Sequence, residues 1–460
     1  MIDISNRNSI NIRDKKVTII GLGLSGVSAA KLANYLGARV FASDPSSKFH
    51  ISDAGLNLLH HHISCETGIQ SDKIYDTDLW IISPGIPADA PIIQKAKQLG
   101  IPIVGEIEFA SWYCDAPIIA VTGSNGKTTS VHILSEMCQS DSIDSLMAGN
   151  VGIPFSERVL KDLKHPNPKR TFILEISSFQ MEFVKHFCPK IALYTNVSPD
   201  HLDRHGSMDN YLKMKLNMVK NMTPSDHIVF NLDDPKIKLA IEGHCAQLVP
   251  FSLLNQGMTF SMNSNQITTL TGNSLIDVNE IALPGKHNLS NMLGAATVSH
   301  LMGIPNEHIS HLMRTFTGVE HRLENVNIIK GVTYINDSKA TNLESVIVAM
   351  ESFKNPIVLI LGGRNKGADF RLLLPHIKSS HVRNIISYGE VSEHILNAFG
   401  DAVRSVNVTD LNSAVKIAQS LAVPGDIVLL SPGCASFDQF ANFEERGLYF
   451  KSLVKDMEIA

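Results

Sequence analysis

Twice in this chain an apolar strand runs directly into a glycine loop and then into a helix: VTIIGLGLSG at 17–26 and IIAVTGSNGKTTSVHIL at 118–134. A strand that turns straight into a helix can reach a parallel neighbour only by a crossover, so the pattern dictates parallel α/β sheets covered on both faces. The alternation continues around both loops. After the first come a helix from Ser25 to Leu36, a strand at 39–43, a helix near 53–62 and a strand at 79–82. After the second come the strands TFILEIS, IALYTNVS and DHIVFNLDD, then a polar, strand-like stretch from 245 to 283. A helix in LPGKHNLSNMLGAATVSHLMGI follows. A third set of strands lies in VTYINDS, PIVLILGG, RNIISYG and DIVLLSPG. The expected fold is α/β in three domains: Rossmann-like at 1–108, of P-loop ATPase type at 109–318, and again Rossmann-like at 319–460.

Bulk composition narrows the function. The 460 residues carry a net charge of −5, with no Lys/Arg run, which argues against nucleic acid as a partner. No apolar run is long enough to span a membrane, and the opening MIDISNRNSI lacks a leader pattern, so a cytoplasmic protein is expected. The six cysteines are scattered without a C-x-x-C pair and are expected to be free and mostly buried. His60, His61 and His62 diverge in direction and read as a solvated surface patch.

Both loops are phosphate signals. Gly21, Gly23 and Gly26 have the G-x-G-x-x-G spacing, with Asp44 closing the next strand, which fits either NAD or the diphosphate of a nucleotide-linked substrate. The second loop, Gly123, Ser124, Asn125, Gly126, Lys127, Thr128 and Thr129, has Val121 where the general P-loop pattern starts with glycine. Strand, glycines, Gly-Lys-Thr-Thr and helix in one place nevertheless point to ATP. Lys127 would face the β- and γ-phosphates, and the Thr128 hydroxyl would ligate Mg²⁺. With an ATP loop present, a hydride-transfer enzyme has no use for it.

Ligands of such sheets gather beyond the carboxyl ends of strands, so the residues there carry weight. They include Glu175, Ser177 and Ser178, then Asn196, Asp200, His201 and Asp203. The third segment offers Asp337, Ser338, Lys339, Thr341 and Asn342, then Arg364 and Lys366, then Ser431, Ser436, Asp438 and Gln439. Each group has a plain alternative as a helix cap or polar turn. Beside the second loop, Glu175 and His201 read as metal ligands.

TGSNGKTT, EISSFQ, NVSPDHLDRHG, PGKHNLSN, EHR, DSKATN and LGGRNKGADF, in this order and spanning nearly the whole chain, resemble the ATP-dependent Mur ligases of peptidoglycan synthesis. GLGLSG, the SPG turn at 83–85 and SPGCASFDQFANFEERG are most similar to the members that add D-glutamate, and Gly433 departs from the commoner alanine without removing a functional group. The resemblance implies that the first loop binds the UDP part of a substrate, not NAD. It implies a ligase acting on UDP-N-acetylmuramoyl-L-alanine and D-glutamate through an acyl phosphate, as a cytoplasmic monomer. The alternatives are a member that adds L-alanine and an NAD-dependent dehydrogenase.

The same resemblance implies the residue roles. Leu24, Ser25, Asp44, Ser83 and Gly85 would hold the UDP moiety, and Asn150, Ser177 and His201 the muramoyl side. Asn288 and Asn291 would meet adenine or ribose; Arg322 and Asp337 would reach phosphates and ribose. Lys339 and Thr341 would lie near the transferring group, Thr341 also with Lys366, Ser436 and Phe443 around D-glutamate. Two Mg²⁺ ions are implied, held by Thr128, Glu175, His201 and a CO₂-derived carbamate on Lys215. Such cations are needed because two like charges 4 Å apart repel by about 4 kcal/mol at an effective dielectric near 20. Closure of the C-terminal domain is implied as well.

Overall fold

The computed structural model describes residues 1–47, 49–364 and 368–459. They form two compact units, Met1–Ala282 with Asn288–Thr315, and Leu283–His287 with Phe316–Ala460. Among the described residues no helix is long and apolar enough to cross a membrane.

The first unit holds two parallel sheets. The N-terminal one has five strands, Lys16–Ile20, Arg39–Asp44, Ser64–Thr67, Leu79–Ile82 and Ile103–Gly105, in the spatial order third, second, first, fourth, fifth. Its first strand lies between the second and the fourth, so the loop after it is flanked by Asp44 on one side and Ser83 on the other. Helix Leu24–Tyr35 begins within one residue of the expected position, and the expected helix near 53–62 lies earlier, at Phe49–His60.

The second sheet has six parallel strands: Ile118–Thr122, Asp144–Gly149, Arg170–Glu175, Ile191–Tyr194, His227–Asn231 and Gln247–Phe251. Here too the first strand is internal, paired with Arg170–Glu175 and with Ile191–Tyr194. Its loop therefore opens between Glu175 and Thr195–Asn196, the switch point where α/β sheets bind ligands. Ile118–Thr122 is buried along its whole length, as a strand covered on both faces must be. The polar stretch after 245 resolves into the sixth strand and a small antiparallel sheet of Phe260–Asn263, Gln266–Thr269 and Ser274–Asp277.

The second unit has a six-stranded sheet: Glu324–Ile329, Val332–Asn336, Ile357–Gly362, Val382–Tyr388, Arg404–Val408 and Ile427–Leu430. The first pair is antiparallel and the rest are parallel. The last strand sits centrally, between Val332–Asn336 and Ile357–Gly362. That register brings the loops after Asn336, Gly362 and Leu430 to one end of the sheet.

One compositional expectation is corrected. Cys114, Cys138 and Cys434 are buried, but Cys65 and Cys188 are half-buried and Cys245 is exposed. Cys245 still donates its Sγ proton to the Met222 carbonyl, so an exposed position satisfies it. The three consecutive histidines are exposed, as expected.

Candidate active site

In the N-terminal sheet, the first glycine loop is pulled tight by its neighbours. The Asp44 carboxylate accepts from the Leu22 backbone N–H at 2.8 Å, and the Ser83 hydroxyl donates to the Gly21 carbonyl at 3.0 Å. A Cβ on Gly26 would stand 1.9 Å from that same carbonyl oxygen, so the helix can approach the strand only with glycine there. Leu24 is 76% exposed at the start of the helix. Leu24, Ser25, Asp44, Ser83 and Gly85 thus stand around one strand end. The Arg204 guanidinium reaches this turn as well: it donates to the carbonyls of Gly85 at 3.2 Å and Ile86 at 3.0 Å, and pairs with Glu182 at 2.9 Å.

The second loop is braced by the neighbouring strand. Asn196 accepts from the Asn125 N–H at 2.8 Å and donates to the Asn125 carbonyl at 3.0 Å, while Thr195 Oγ1 donates to the same carbonyl at 2.7 Å. The Ser124 hydroxyl donates to Ser198 O at 2.8 Å and lies 3.1 Å from the Tyr211 hydroxyl. Gly126 precedes helix Lys127–Cys138 in the left-handed region, at φ +80°, and as the N-cap it offers no side chain to the first turn. The leading N–H groups of a helix carry partial positive charge and attract anions. Thr129 Oγ1, buried in that turn, has no hydrogen-bond partner among the described residues, which fits a loop shaped for a phosphate.

Thr128 and Glu175 meet as the metal reading requires. The Thr128 hydroxyl donates to Glu175 Oε2 at 2.7 Å, and Asn150 Nδ2 holds the other carboxylate oxygen at 2.8 Å. Hydroxyl and carboxylate oxygens beside a phosphate loop are the hard donors Mg²⁺ takes, so the residues fit that ion. Ser177 turns instead to Gln180, whose Oε1 accepts from the Ser177 N–H at 2.9 Å. His201 is left-handed at φ 52° and ends no helix with its side chain; its Nε2 lies 3.5 Å from Asp200 Oδ2 and its ring packs edge-on to Phe179. A capping role for His201 is therefore not observed.

Lys215 is 1% exposed, with Nζ 2.8 Å from the Gly123 carbonyl oxygen and 4.5 Å from the centre of the Tyr211 ring. Burial, reinforced by the nearby Lys127 ammonium, pushes this amine well below the usual lysine range, against the opposing pull of Asp200 and Glu175. Lys127 Nζ is folded back onto the carbonyls of Gly123 and Ser124, at 2.8 and 2.7 Å. Asn288 and Asn291 are both buried, and a Cβ on Gly126 would lie 2.3 Å from Asn291 Oδ1.

In the second unit, Asp337 ends its strand buried, with Oδ2 accepting from Ser431 Oγ at 2.8 Å and Oδ1 from the Leu323 N–H at 3.2 Å. Burial raises its carboxyl to about 7, opposed by the Arg322 guanidinium. Lys339 Nζ lies 4.9 Å from the centre of the Phe443 ring. Ser436 is buried in the loop after the central strand. Thr341 is half-buried beside Asn342, and Asn342 does cap a helix, accepting from the Ser345 N–H at 2.9 Å. Lys366 lies outside the described residues.

A further polar group, Glu320, His321 and Glu324, gathers donor atoms within 4.8 Å of one another. Lys451 Nζ bonds Glu320 Oε1 at 2.7 Å and Glu324 Oε1 at 2.5 Å, so the position a cation would take already has an ammonium. Sequence reading missed Arg204, Gln180 and Tyr211. Their roles depend on partners distant in the chain, and no local spacing announces them.

Comparison with known proteins agrees with this arrangement. Residues 15–105 match the MurD-like N-terminal domain of Mur ligases, 121–299 the Mur ligase middle domain, and 321–434 the Mur ligase glutamate ligase domain. A protein of Christiangramia forsetii named UDP-N-acetylmuramoylalanine--D-glutamate ligase is 40% identical over 452 residues, covering 96% of this chain and 100% of the relative. One of the same name from Chloroherpeton thalassium is 37% identical, covering 97% and 99%. Among solved structures, the UDP-N-acetylmuramate-alanine ligase of Thermotoga maritima superposes with a TM-score of 0.61 at 17% identity, covering 96% of this chain and 100% of that one. The MurF ligase of the same organism, solved with ADP, gives 0.59 at 15%, covering 99% and 98%. These last two share the three-domain α/β fold. The matched domains and near-complete relatives, taken with the glycine loops and their strand-end carboxylates, place this chain in the Mur ligase family.

Proposed function

We propose that this chain joins D-glutamate to UDP-N-acetylmuramoyl-L-alanine at the expense of ATP, in cytoplasmic peptidoglycan precursor synthesis and as a monomer. The observation that carries the reading is the Thr128–Glu175 contact beside a phosphate loop whose helix is entered through a glycine N-cap, in a chain 40% identical over almost its full length to a relative bearing that name. The division of labour follows domains at 1–108, 109–318 and 319–460.

ATP phosphorylates the substrate's L-alanine carboxylate, and the amine of D-glutamate attacks the acyl phosphate. The tetrahedral adduct then expels inorganic phosphate, and the amine proton passes to solvent. The difficulty is bringing a carboxylate against a triphosphate, so cationic groups must offset their repulsion. Gly123 to Thr129 surround the phosphates, with Lys127 on the transferring group. Thr128 and Glu175 would hold one Mg²⁺, and His201 with a carbamate on Lys215 would hold a second. When bound, these ions neutralise charge on the phosphates and the attacking carboxylate. Burial favours the neutral amine of Lys215, the form that adds CO₂ with release of a proton, and a carbamate there would replace a repelling ammonium by an oxygen ligand.

Leu24, Ser25, Asp44, Ser83 and Gly85 take the UDP end of the substrate, and Asn150, Ser177 and His201 the muramoyl side. Asn288 and Asn291 orient the adenosine. Arg322 and Asp337 serve phosphates and ribose, Lys339 and Thr341 lie near the transferring group, and Thr341, Lys366, Ser436 and Phe443 take D-glutamate.

The test is phosphate release from ATP and Mg²⁺ with UDP-N-acetylmuramoyl-L-alanine, in parallel with D-glutamate, L-glutamate or a diamino acid. Release with D-glutamate alone, abolished in Lys127→Ala, is expected. Release with another amino acid overturns the acceptor, and no release with any overturns the ligase reading.

A further inference from the structure

Arg446 is the largest buried cation of the second unit, 0% exposed in helix Phe443–Ile459. A guanidinium stays charged at every accessible pH and is costly to bury unless its donors are satisfied. Among the described residues its guanidinium donates to neutral oxygens: Nε to Ser338 Oγ at 2.9 Å, Nη2 to Ser338 O at 2.7 Å, and Nη1 to Cys434 O at 3.1 Å. Ser338 in turn donates its hydroxyl to the Phe443 carbonyl at 2.8 Å.

Its two partners belong to different loops at the strand ends. Ser338 lies between Asp337 and Lys339, and Cys434 stands two residues before Ser436. Phe443 opens the helix that carries Arg446 itself. One planar side chain therefore ties two strand-end loops to each other and, through Ser338, to the first turn of its own helix. The same two loops are also joined by the Asp337 N–H to the Leu430 carbonyl at 2.8 Å, by the Gly433 N–H to the Ala340 carbonyl at 2.9 Å, and by the Ser431 hydroxyl to Asp337 Oδ2 at 2.8 Å. A buried charge without a bonded carboxylate is a poor stabiliser, and a hydrophobic side chain would fill the same space more cheaply. Its value lies in geometry: a constellation holds its shape only if its supporting shell does.

We propose that Arg446 is a positioning residue that sets the distance between Ser436 and Phe443 and so governs the affinity for the amino-acid substrate. The assignment rests on the function proposed above. Lysine in its place keeps the charge but loses the planar fork, so it cannot hold Ser338 and Cys434 together.

The experiment uses the full chain, with steady-state kinetics for all three substrates and a thermal melt for each variant. Arg446→Lys is expected to raise KM for D-glutamate about tenfold or more, with KM for ATP and for the UDP-linked substrate within about twofold, a split that mere loss of folded protein does not produce. A uniform fall in kcat with every KM unchanged overturns the proposal, as does an unshifted D-glutamate KM. Should Arg446→Lys not fold, Ser338→Ala removes one acceptor of the fork; it is expected to raise the same KM about threefold, and an unchanged value overturns the proposal. Wild-type protein that turns over without needing D-glutamate overturns the function itself, and this role with it.

Discussion

The ammonium groups of Lys127 and Lys215 donate to a single acceptor, the carbonyl oxygen of Gly123, each at 2.8 Å. Two like charges on one oxygen are tolerable only if one of them gives way. The buried partner, Lys215, is the one whose neutral form burial favours. A neutral amine is a nucleophile, and CO₂ is the electrophile that converts it into an anionic oxygen ligand. In ¹³C-bicarbonate, the protein is expected to show a carbamate carbon resonance that is absent from Lys215→Arg. The arginine variant should also lose activity by roughly tenfold or more, the scale of losing a group that orients a metal. An identical resonance in both proteins would place the carbamate elsewhere.

Gly126 combines a left-handed backbone with contact against Asn291, so it answers to two constraints at once. Gly126→Ala strains the backbone and drives a methyl into the Asn291 amide. The expected cost is about 1–3 kcal/mol in urea unfolding, with ADP affinity falling at least tenfold by calorimetry. Unchanged ADP binding would mean that Asn291 does not bear on the nucleotide.

What could be read from the sequence was what short-range chemistry encodes. Gly126, Lys127 and Thr128 are adjacent, and strand, loop and helix follow in order, so the loop and its sheet were legible together. Glu175 was legible because it ends a strand. Its clamp by Asn150, 25 residues away, was not, since Asn150 reads as a substrate contact and its hydrogen bond depends on which strands become neighbours. The same holds for Arg204, 119 residues from its Gly85 partner, and for Arg446, 108 residues from Ser338. The antiparallel sheet within 260–277 was visible only as polar strand-like chain, because its strands are four residues each and too short to show alternation.

Arg204 offers a test of that long-range logic. Its fork holds the Gly85 and Ile86 carbonyls while Glu182 and the Phe179 ring, 5.0 Å from the guanidinium carbon, keep it in place. Arg204→Lys retains the charge but not the two-carbonyl grip, so the turn after Ser83 is loosened. KM for the UDP-linked substrate is expected to rise about tenfold, with KM for ATP unchanged. Equal rises in both would show that Arg204 supports the whole unit, not the turn.

Glu106 gives the pH dependence of the first unit. It is 3% exposed; Oε1 accepts from the Ser156 N–H at 2.6 Å, and Oε2 has no hydrogen-bond partner among the described residues. Burial pushes its carboxyl from 4.5 to about 7, opposed by the Ser156 bonds. Because the folded value is the higher one, the native state keeps a proton that the unfolded chain has already released. The contribution to stability is therefore complete below about pH 4.5, falls as pH rises towards 7, and is gone above it. Across that window the loss amounts to about 3 kcal/mol. Glu106→Gln cannot ionise and should escape it. Both tryptophans, Trp80 and Trp112, lie in the first unit, so urea unfolding followed by their fluorescence reports on it. Going from pH 5 to pH 8, the stability of the variant is expected to gain about 2–3 kcal/mol on the wild type. Parallel pH profiles would mean that Glu106 is ionised in the fold and that its second oxygen has found a partner.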